Sequence, residues 1–205
     1  MVTVAGLASG SHLELAMTEG ALVVEGAMEP AESVGCSYGR RHRVARCPVD
    51  GVGGVELQMN DAEDRVRVLT PLPLPLTVHL GGGSDKFVGN AEPDTCYSQG
   101  ARRNRCVGGA GDDVCITGQM NSDCVGGPGD DVCRHGAGSD GCWGGPGDDV
   151  CSMGPGSDGC HGGPGDDRLL GGPGADQLYG GPGRDYCDGA PGVGHSFRCE
   201  EGPGG

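Results

Sequence analysis

Aspartate recurs in the second half of this chain at intervals of nine and eighteen residues, closing glycine-rich runs such as Gly126-Gly-Pro-Gly-Asp-Asp131 and Gly144-Gly-Pro-Gly-Asp-Asp149. The runs follow a nine-residue template, G-G-x-G-x-D-x-U-x, in which U is apolar and the pattern is that of a stacked solenoid. Two such units make one coil, each supplying a tight turn and a short strand, so residues eighteen apart stack. Neighbouring parallel strands lie roughly 4.8 Å apart. The sixth-position carboxylates of successive coils therefore face one another along an edge. A hard cation such as Ca²⁺ takes six to eight oxygens and mixes carboxylates with backbone carbonyls freely. Glycine at positions one, two and four lets the turn bend and aim its carbonyls inward, since glycine tolerates positive φ.

The register yields two columns. The first is Asp113, Asp131, Asp149, Asp167 and Asp185, each in a turn led by a glycine: Gly108, Gly126, Gly144, Gly162 and Gly180. The second is Asn104, Ser122, Asp140, Asp158 and Asp176, and its next step falls on Gly194, so carboxylates are missing at both ends. Consecutive rungs leave four gaps on the first edge and two on the second, so about 4 to 6 Ca²⁺ ions are expected. Upstream, Asp85 and Asp94 are further candidates in weaker matches, with Ser98 read as an inserted residue that breaks phase. Asn60–Val66 is a degenerate turn placing Asp64 and Val66 in the sixth and eighth slots.

Composition narrows the alternatives. The chain has 205 residues, 45 of them glycine, yet its period is nine rather than three, which excludes collagen. Residues 107–205 hold 16 acidic and 4 basic residues, a net −12 of the whole chain's −15. That field repels phosphate, so neither a nucleic-acid partner nor a phosphate cradle is expected. Arg40, Arg41, His42, Arg43 and Arg46 form a small basic cluster, read as a solvated hairpin. Gly35-Cys-Ser37-Tyr-Gly39 matches a nucleophile-elbow string but lacks the strand, helix and large sheet that the elbow requires. The six histidines form no acid–base constellation, His135 and His161 being exposed by register. No catalytic residue is assigned and no enzyme activity is expected.

Aromatic residues make up 3% of the chain, and each coil buries only two U side chains, so an ordinary hydrophobic core is absent. Nine of the twelve cysteines occupy U: Cys96, Cys106, Cys115, Cys124, Cys133, Cys142, Cys151, Cys160 and Cys187. A reduced core of small apolar thiols is one reading. Disulfides are favoured, because the count is even and weak calcium sites belong outside the cell. Bridges between facing residues nine apart are expected, for instance Cys115–Cys124, Cys133–Cys142 and Cys151–Cys160, with Cys36–Cys47 and Cys187–Cys199 as local staples. No C-x-x-C pair suggests a zinc site.

Residues 1–54 read as a β cap region of short alternating runs such as Val2–Ala5, His12–Met17 and Ala21–Glu25. Residues 55–80 form a transition containing the stiff Pro71-Leu-Pro-Leu-Pro75 connector, 81–188 the repeats, and 189–205 a tail. The fold class is all-β, a parallel β-roll with two nine-residue units per coil behind a short-stranded cap. No apolar run reaches membrane-span length and no signal peptide is visible, so the chain is expected to be a fragment of a secreted protein or to leave by another signal.

Residues from about 81 to 188 resemble the RTX, or hemolysin-type, calcium-binding repeat proteins, and the best units match every fixed position of the template. The cap region looks like that of actinobacterial proteins of this type. The resemblance implies a parallel β-roll holding Ca²⁺ between adjacent turns through the sixth-position aspartates and turn carbonyls. It also suggests type I export, although that family is cysteine-poor. The expected function is a secreted calcium-binding structural or surface-interaction module of unidentified partner. The alternative is a calcium-dependent accessory part of a secreted protease or lipase.

Overall fold

The computed structural model describes residues 2–4, 12–18, 21–25, 37–38, 44–48, 50–59, 61–99, 102–189, 195–197 and 199. Strands alternate between two facing sheets, as repeated turn-and-strand units require. The first sheet has nine strands, all parallel: Val2–Val4, Val55–Gln58, Leu76–His79, Thr95–Ser98, Val114–Thr117, Val132–Arg134, Val150–Ser152, Arg168–Leu170 and Tyr186–Asp188. The second runs in parallel from His195–Phe197 back to Arg65–Val68 and His12–Thr18, then continues through the antiparallel strands Ala21–Glu25, Val44–Pro48 and Ser37–Tyr38. The expected β-solenoid is the observed fold, and no helix long and apolar enough to cross a membrane occurs among the described residues.

Register follows the nine-residue template. In the first sheet Cys115 pairs with Cys133 and Cys133 with Cys151; in the second, Cys106 pairs with Cys124 and Cys124 with Cys142. Upstream the coil lengthens. Cys96 pairs with Cys115 and Phe87 with Cys106, a step of nineteen residues. The extra residue falls between Ser98 and Asn104, whereas Ser98 itself is a buried strand residue opposite Thr117. Ser98 is thus not the insertion, because a turn absorbs an added residue more easily than a strand whose side chains must alternate. Leu57 pairs with Val78 and Val66 with Phe87, each a step of twenty-one, and the additional residues lie in the Leu69–Pro75 stretch. The prolines therefore form a widened turn within a coil, with Leu72 folded into the core.

One apolar cluster runs the length of the solenoid, from Leu13, Leu15 and Leu22 through Leu57, Val66, Val78 and Phe87 to the cysteine columns and Leu169, Leu178 and Cys187. Bridges join the sheets at Cys96–Cys106, Cys124–Cys133 and Cys142–Cys151, and Cys187–Cys199 ties the last strand of the first sheet to the chain beyond Phe197, with Cα separations of 5.7 to 6.6 Å. These separations suit disulfides. Cross-sheet pairing nine apart and the Cys187–Cys199 staple are as expected, but the phase differs: Cys115–Cys124, Cys133–Cys142 and Cys151–Cys160 are not formed, and Cys115 and Cys160 are buried thiols. Spacing alone cannot choose, since both phases join residues nine apart. The bridged spans 124–133 and 142–151 enclose turns led by Gly126 and Gly144, whereas the unbridged spans enclose buried Thr117, His135 or Met153. Burial pushes both free thiols well above their ordinary range, Asp140 adding to the effect at Cys115. Cys47 is disulfide-bonded. Cys36, Arg40, Arg41, His42, Arg43 and Gly194 lie outside the described residues.

The turns depend on glycine at the second position. Gly145 has φ +126°, and a Cβ there would come within 2.1 Å of the Gly127 carbonyl oxygen in the preceding coil. Gly159, in a strand, faces open space. Gly145→Ala is expected to destabilise the calcium-loaded protein by about 2–3 kcal/mol, and Gly159→Ala to stay within about 0.5 kcal/mol. Thermal melts of the two variants check this, and equal shifts would contradict the turn geometry.

Candidate calcium-binding edges

On the first edge Asp113, Asp131, Asp149, Asp167 and Asp185 stack in order, each tied to the coil before it. The backbone N–H of Asp113 donates to Asp131 Oδ1 at 2.8 Å, that of Asp131 to Asp149 at 2.8 Å, that of Asp149 to Asp167 at 2.9 Å and that of Asp167 to Asp185 at 3.1 Å. Asp94 begins the same column, its N–H donating to Asp113 Oδ1 at 2.7 Å. On the second edge the same bond runs from Ser122 to Asp140, Asp140 to Asp158 and Asp158 to Asp176, at 2.7, 2.8 and 3.1 Å. Asp85 lies upstream on this edge, accepting from Asp64 N–H at 2.9 Å and donating its own N–H to Asn104 Oδ1 at 2.7 Å.

One carboxylate oxygen of each rung is thus used by the backbone. The other is buried and has no hydrogen-bond partner: Oδ2 of Asp85, Asp113, Asp131, Asp140, Asp149, Asp158, Asp167, Asp176 and Asp185. Leaving a buried charged oxygen unpaired costs more than a hydrogen bond returns. Asp94 differs, since Leu76 N–H donates to its Oδ1 and Asn90 N–H to its Oδ2. Asp64, which joins the second column beneath Asp85, lay outside the primary ladders read from sequence. Its signal was the sixth slot of the degenerate Asn60–Val66 turn.

The leading glycines explain how the carboxylates fold back. A Cβ at Gly108, Gly126, Gly144, Gly162 or Gly180 would lie 2.0 to 2.2 Å from Oδ2 of the aspartate closing the same turn. The second edge lacks this uniformity. Leu80, Ser98, Thr117, His135 and Met153 occupy the first position there and are buried, with Gly171 ahead of Asp176. The expected exposure of His135 is therefore corrected, because a first-position side chain points inward. Its Nδ1 lies 2.9 Å from Thr117 Oγ1 and 3.9 Å from Asp140 Oδ1, and burial lowers its pKa to about 4, leaving the ring neutral. His161 is exposed, as its register implied.

A second carboxylate column on the first edge escaped the sequence reading. Asp112, Asp130, Asp148 and Asp166 occupy the fifth position and are exposed. Here the bonds run the other way, Asp130 N–H donating to Asp112 Oδ1 at 3.0 Å and Asp148 N–H to Asp130 Oδ1 at 2.8 Å. The doubled Asp-Asp of each turn was its sequence signal.

Like charges at this density shift the acids. Burial first, then neighbouring carboxylates, raises Asp113 from 3.8 to about 8 and Asp149 to about 7. The same causes raise Asp85, Asp131, Asp140, Asp158 and Asp167 to about 6, against the backbone N–H bonds that pull them down. Asp94 is also raised to about 6, by burial first and by Glu92 beside it.

The RTX calcium-binding nonapeptide repeat family matches the chain in four copies, over residues 125–142 and 161–194. Over those residues the turns of the solenoid are RTX-type repeats. Neither the curated proteins nor the solved structures compared with the chain contain a significant match. The donor set suits a hard divalent cation: anionic oxygens lacking partners, in turns whose glycines leave room beside them. Calcium bound there would supply charge neutralisation and a tie between coils.

A raised carboxyl pKa means that the folded chain keeps protons the unfolded chain has released. Without calcium the roll is accordingly most stable below about pH 4 and loses that stability as pH rises through the range of about 6 to 8 set by the shifted aspartates. In chelator the melting temperature is expected to fall from pH 4.5 to pH 8, and in saturating calcium the trend should reverse as protons cease to compete. A chelated protein that melts higher at pH 8 contradicts the buried ladder.

Proposed function

We propose that the chain is a secreted calcium-binding structural or surface-interaction module, folded by about four to six Ca²⁺ ions held between stacked turns and reinforced by disulfides. The observation that carries this reading is the set of nine buried, partnerless Asp Oδ2 atoms, from Asp85 to Asp185, in two columns. The sites assigned are the gaps between Asp113, Asp131, Asp149, Asp167 and Asp185 on the first edge and between Asp140, Asp158 and Asp176 on the second. Carbonyls of turns led by Gly108, Gly126, Gly144, Gly162 and Gly180 complete them. Asp85 is a further candidate; Asp94, whose two oxygens already accept N–H bonds, is the weaker one. Cross-sheet bridges support an extracellular setting.

The role follows from the energetics. Carboxylates about 5 Å apart repel by roughly 1 to 3 kcal/mol at effective dielectrics of 80 to 20, and each inner rung has two such neighbours. A dication between rungs turns that repulsion into attraction. Circular dichroism should show β signal growing with Ca²⁺ at about 10⁻⁴ to 10⁻³ M, the range of extracellular modules. Absence of any change up to 10 mM, in protein shown to be calcium-free, would sink the proposal.

The edges should also differ. Asp149 has carboxylates on both sides, whereas Asp176 stands at the end of the second series. Asp149→Ala is expected to abolish more bound calcium by calorimetry than Asp176→Ala, and equal losses would show the assignment to be wrong.

A further inference from the structure

Six core cysteines, Cys115, Cys124, Cys133, Cys142, Cys151 and Cys160, follow one another at nine-residue intervals and alternate between the sheets. Two bridges use the inner four, and the outer two are buried thiols. Such a column has a second way to join neighbours: Cys115–Cys124, Cys133–Cys142 and Cys151–Cys160. That arrangement leaves no thiol. In the middle of the column the sulfurs are placed for the change, because Sγ of Cys133, Cys142 and Cys151 all lie within 4.8 Å of one another, so Cys133 already sits beside a sulfur of the neighbouring bridge, whereas the end thiols Cys115 and Cys160 join no such cluster among the described residues.

We propose that Cys115 and Cys160 are the two ends of one thiol–disulfide exchange column, a dithiol redox couple in which two-electron oxidation moves every bridge by one place.

The atoms and electrons balance. Cys115, as thiolate, bonds to Cys124 Sγ; the Cys124–Cys133 bond breaks, and Cys133 leaves with the electron pair and takes up the proton. Cys133 repeats the step on Cys142 and frees Cys151. Neither exchange alters the number of bridges. The thiols then on Cys151 and Cys160 join as a third disulfide, releasing two protons and two electrons. An external low-molecular-weight disulfide accepts them and splits into two thiols. A small dithiol reverses the sequence.

Each exchange carries the thiol eighteen residues, to the adjacent strand of the same sheet. A thiol starting on Cys115 therefore visits Cys133 and Cys151, never Cys124 or Cys142. One starting on Cys160 visits Cys142 and Cys124. This parity separates exchange along the column from random scrambling. The spans of the alternative arrangement enclose the buried side chains of Thr117, His135 and Met153. Burial of the sulfurs makes opening of the coils the step that sets the rate.

The sequence makes the test direct, since Asp113, Asp123, Asp131, Asp140, Asp149 and Asp158 each stand one or two residues before one of the six cysteines. Cleavage before aspartate puts every one on its own peptide. The full chain is incubated in chelator at mildly alkaline pH with excess oxidised glutathione, quenched in acid and mapped by mass spectrometry. Thiols on Cys115 and Cys160 are expected at the start. None should remain afterwards, with the three new bridges formed and Cys96–Cys106 and Cys187–Cys199 unchanged. Glutathione fixed on Cys115 and Cys160 with the inner bridges retained, or no reaction, would overturn the proposal. A second arm needs no oxidant: in Cys160→Ser, alkylating label should distribute over Cys115, Cys133 and Cys151, and in Cys115→Ser over Cys160, Cys142 and Cys124. Label confined to the starting cysteine, or spread over both sheets, overturns it equally.

Discussion

Buried carboxylates stacked at the strand spacing are the constraint to which the rest of this structure answers. Each rung from Asp113 to Asp185 spends one oxygen on the backbone N–H of the coil before it and leaves the other enclosed and unpaired. The bond fixes register, because a slip by one residue would bring a glycine or an outward side chain to the edge. The unpaired oxygen sets the demand for a cation. Glycine at the head of each first-edge turn is a consequence, since a Cβ would occupy the space into which the carboxylate folds. One interaction thus links turn sequence, strand register and metal dependence.

The core could not meet that electrostatic cost alone. Each coil inserts one U side chain from each sheet, mostly cysteine, and thiols bury little apolar area. Sheet hydrogen bonds and turn bonds such as Gly127 N–H to the Gly144 carbonyl at 2.8 Å repeat with every coil and give the stack its regularity. Cross-sheet bridges restrict the unfolded chain. Leu13, Leu22, Leu57 and Leu76 continue the same apolar cluster at the upstream end of this thin column.

Much of this was legible in the sequence because the nine-residue template is local: each unit states its own turn, strand and inward side chain. The two aspartate columns, the cross-sheet direction of the bridges and the all-β solenoid follow from it. What stayed hidden needed knowledge of three-dimensional space. Ser98 looked like an insertion because the template counts residues, whereas pairing with Thr117 shows that the slack lies in the following turn. The bridge phase stayed hidden because Cys124 has facing cysteines nine residues away in both directions. His135 looked exposed because the template puts glycine at its position and says nothing of where a side chain there would point.

The two edges are made differently, and the difference accounts for how order is divided along the molecule. From Gly108 to Asp185 the first edge repeats glycine-led turns with an aspartate on every coil, so its geometry is uniform and its charge is carried without interruption. The second edge replaces the leading glycine by Leu80, Ser98, Thr117, His135 and Met153 and replaces two carboxylates by Asn104 and Ser122. Side chains fill there what a folded-back carboxylate fills on the first edge, and neutral Asn104 still accepts the register bond from Asp85. Register therefore survives across coils where charge does not. The second edge holds the coils together by packing and neutral hydrogen bonds through its middle, while the first carries a carboxylate on every coil from Asp113 to Asp185.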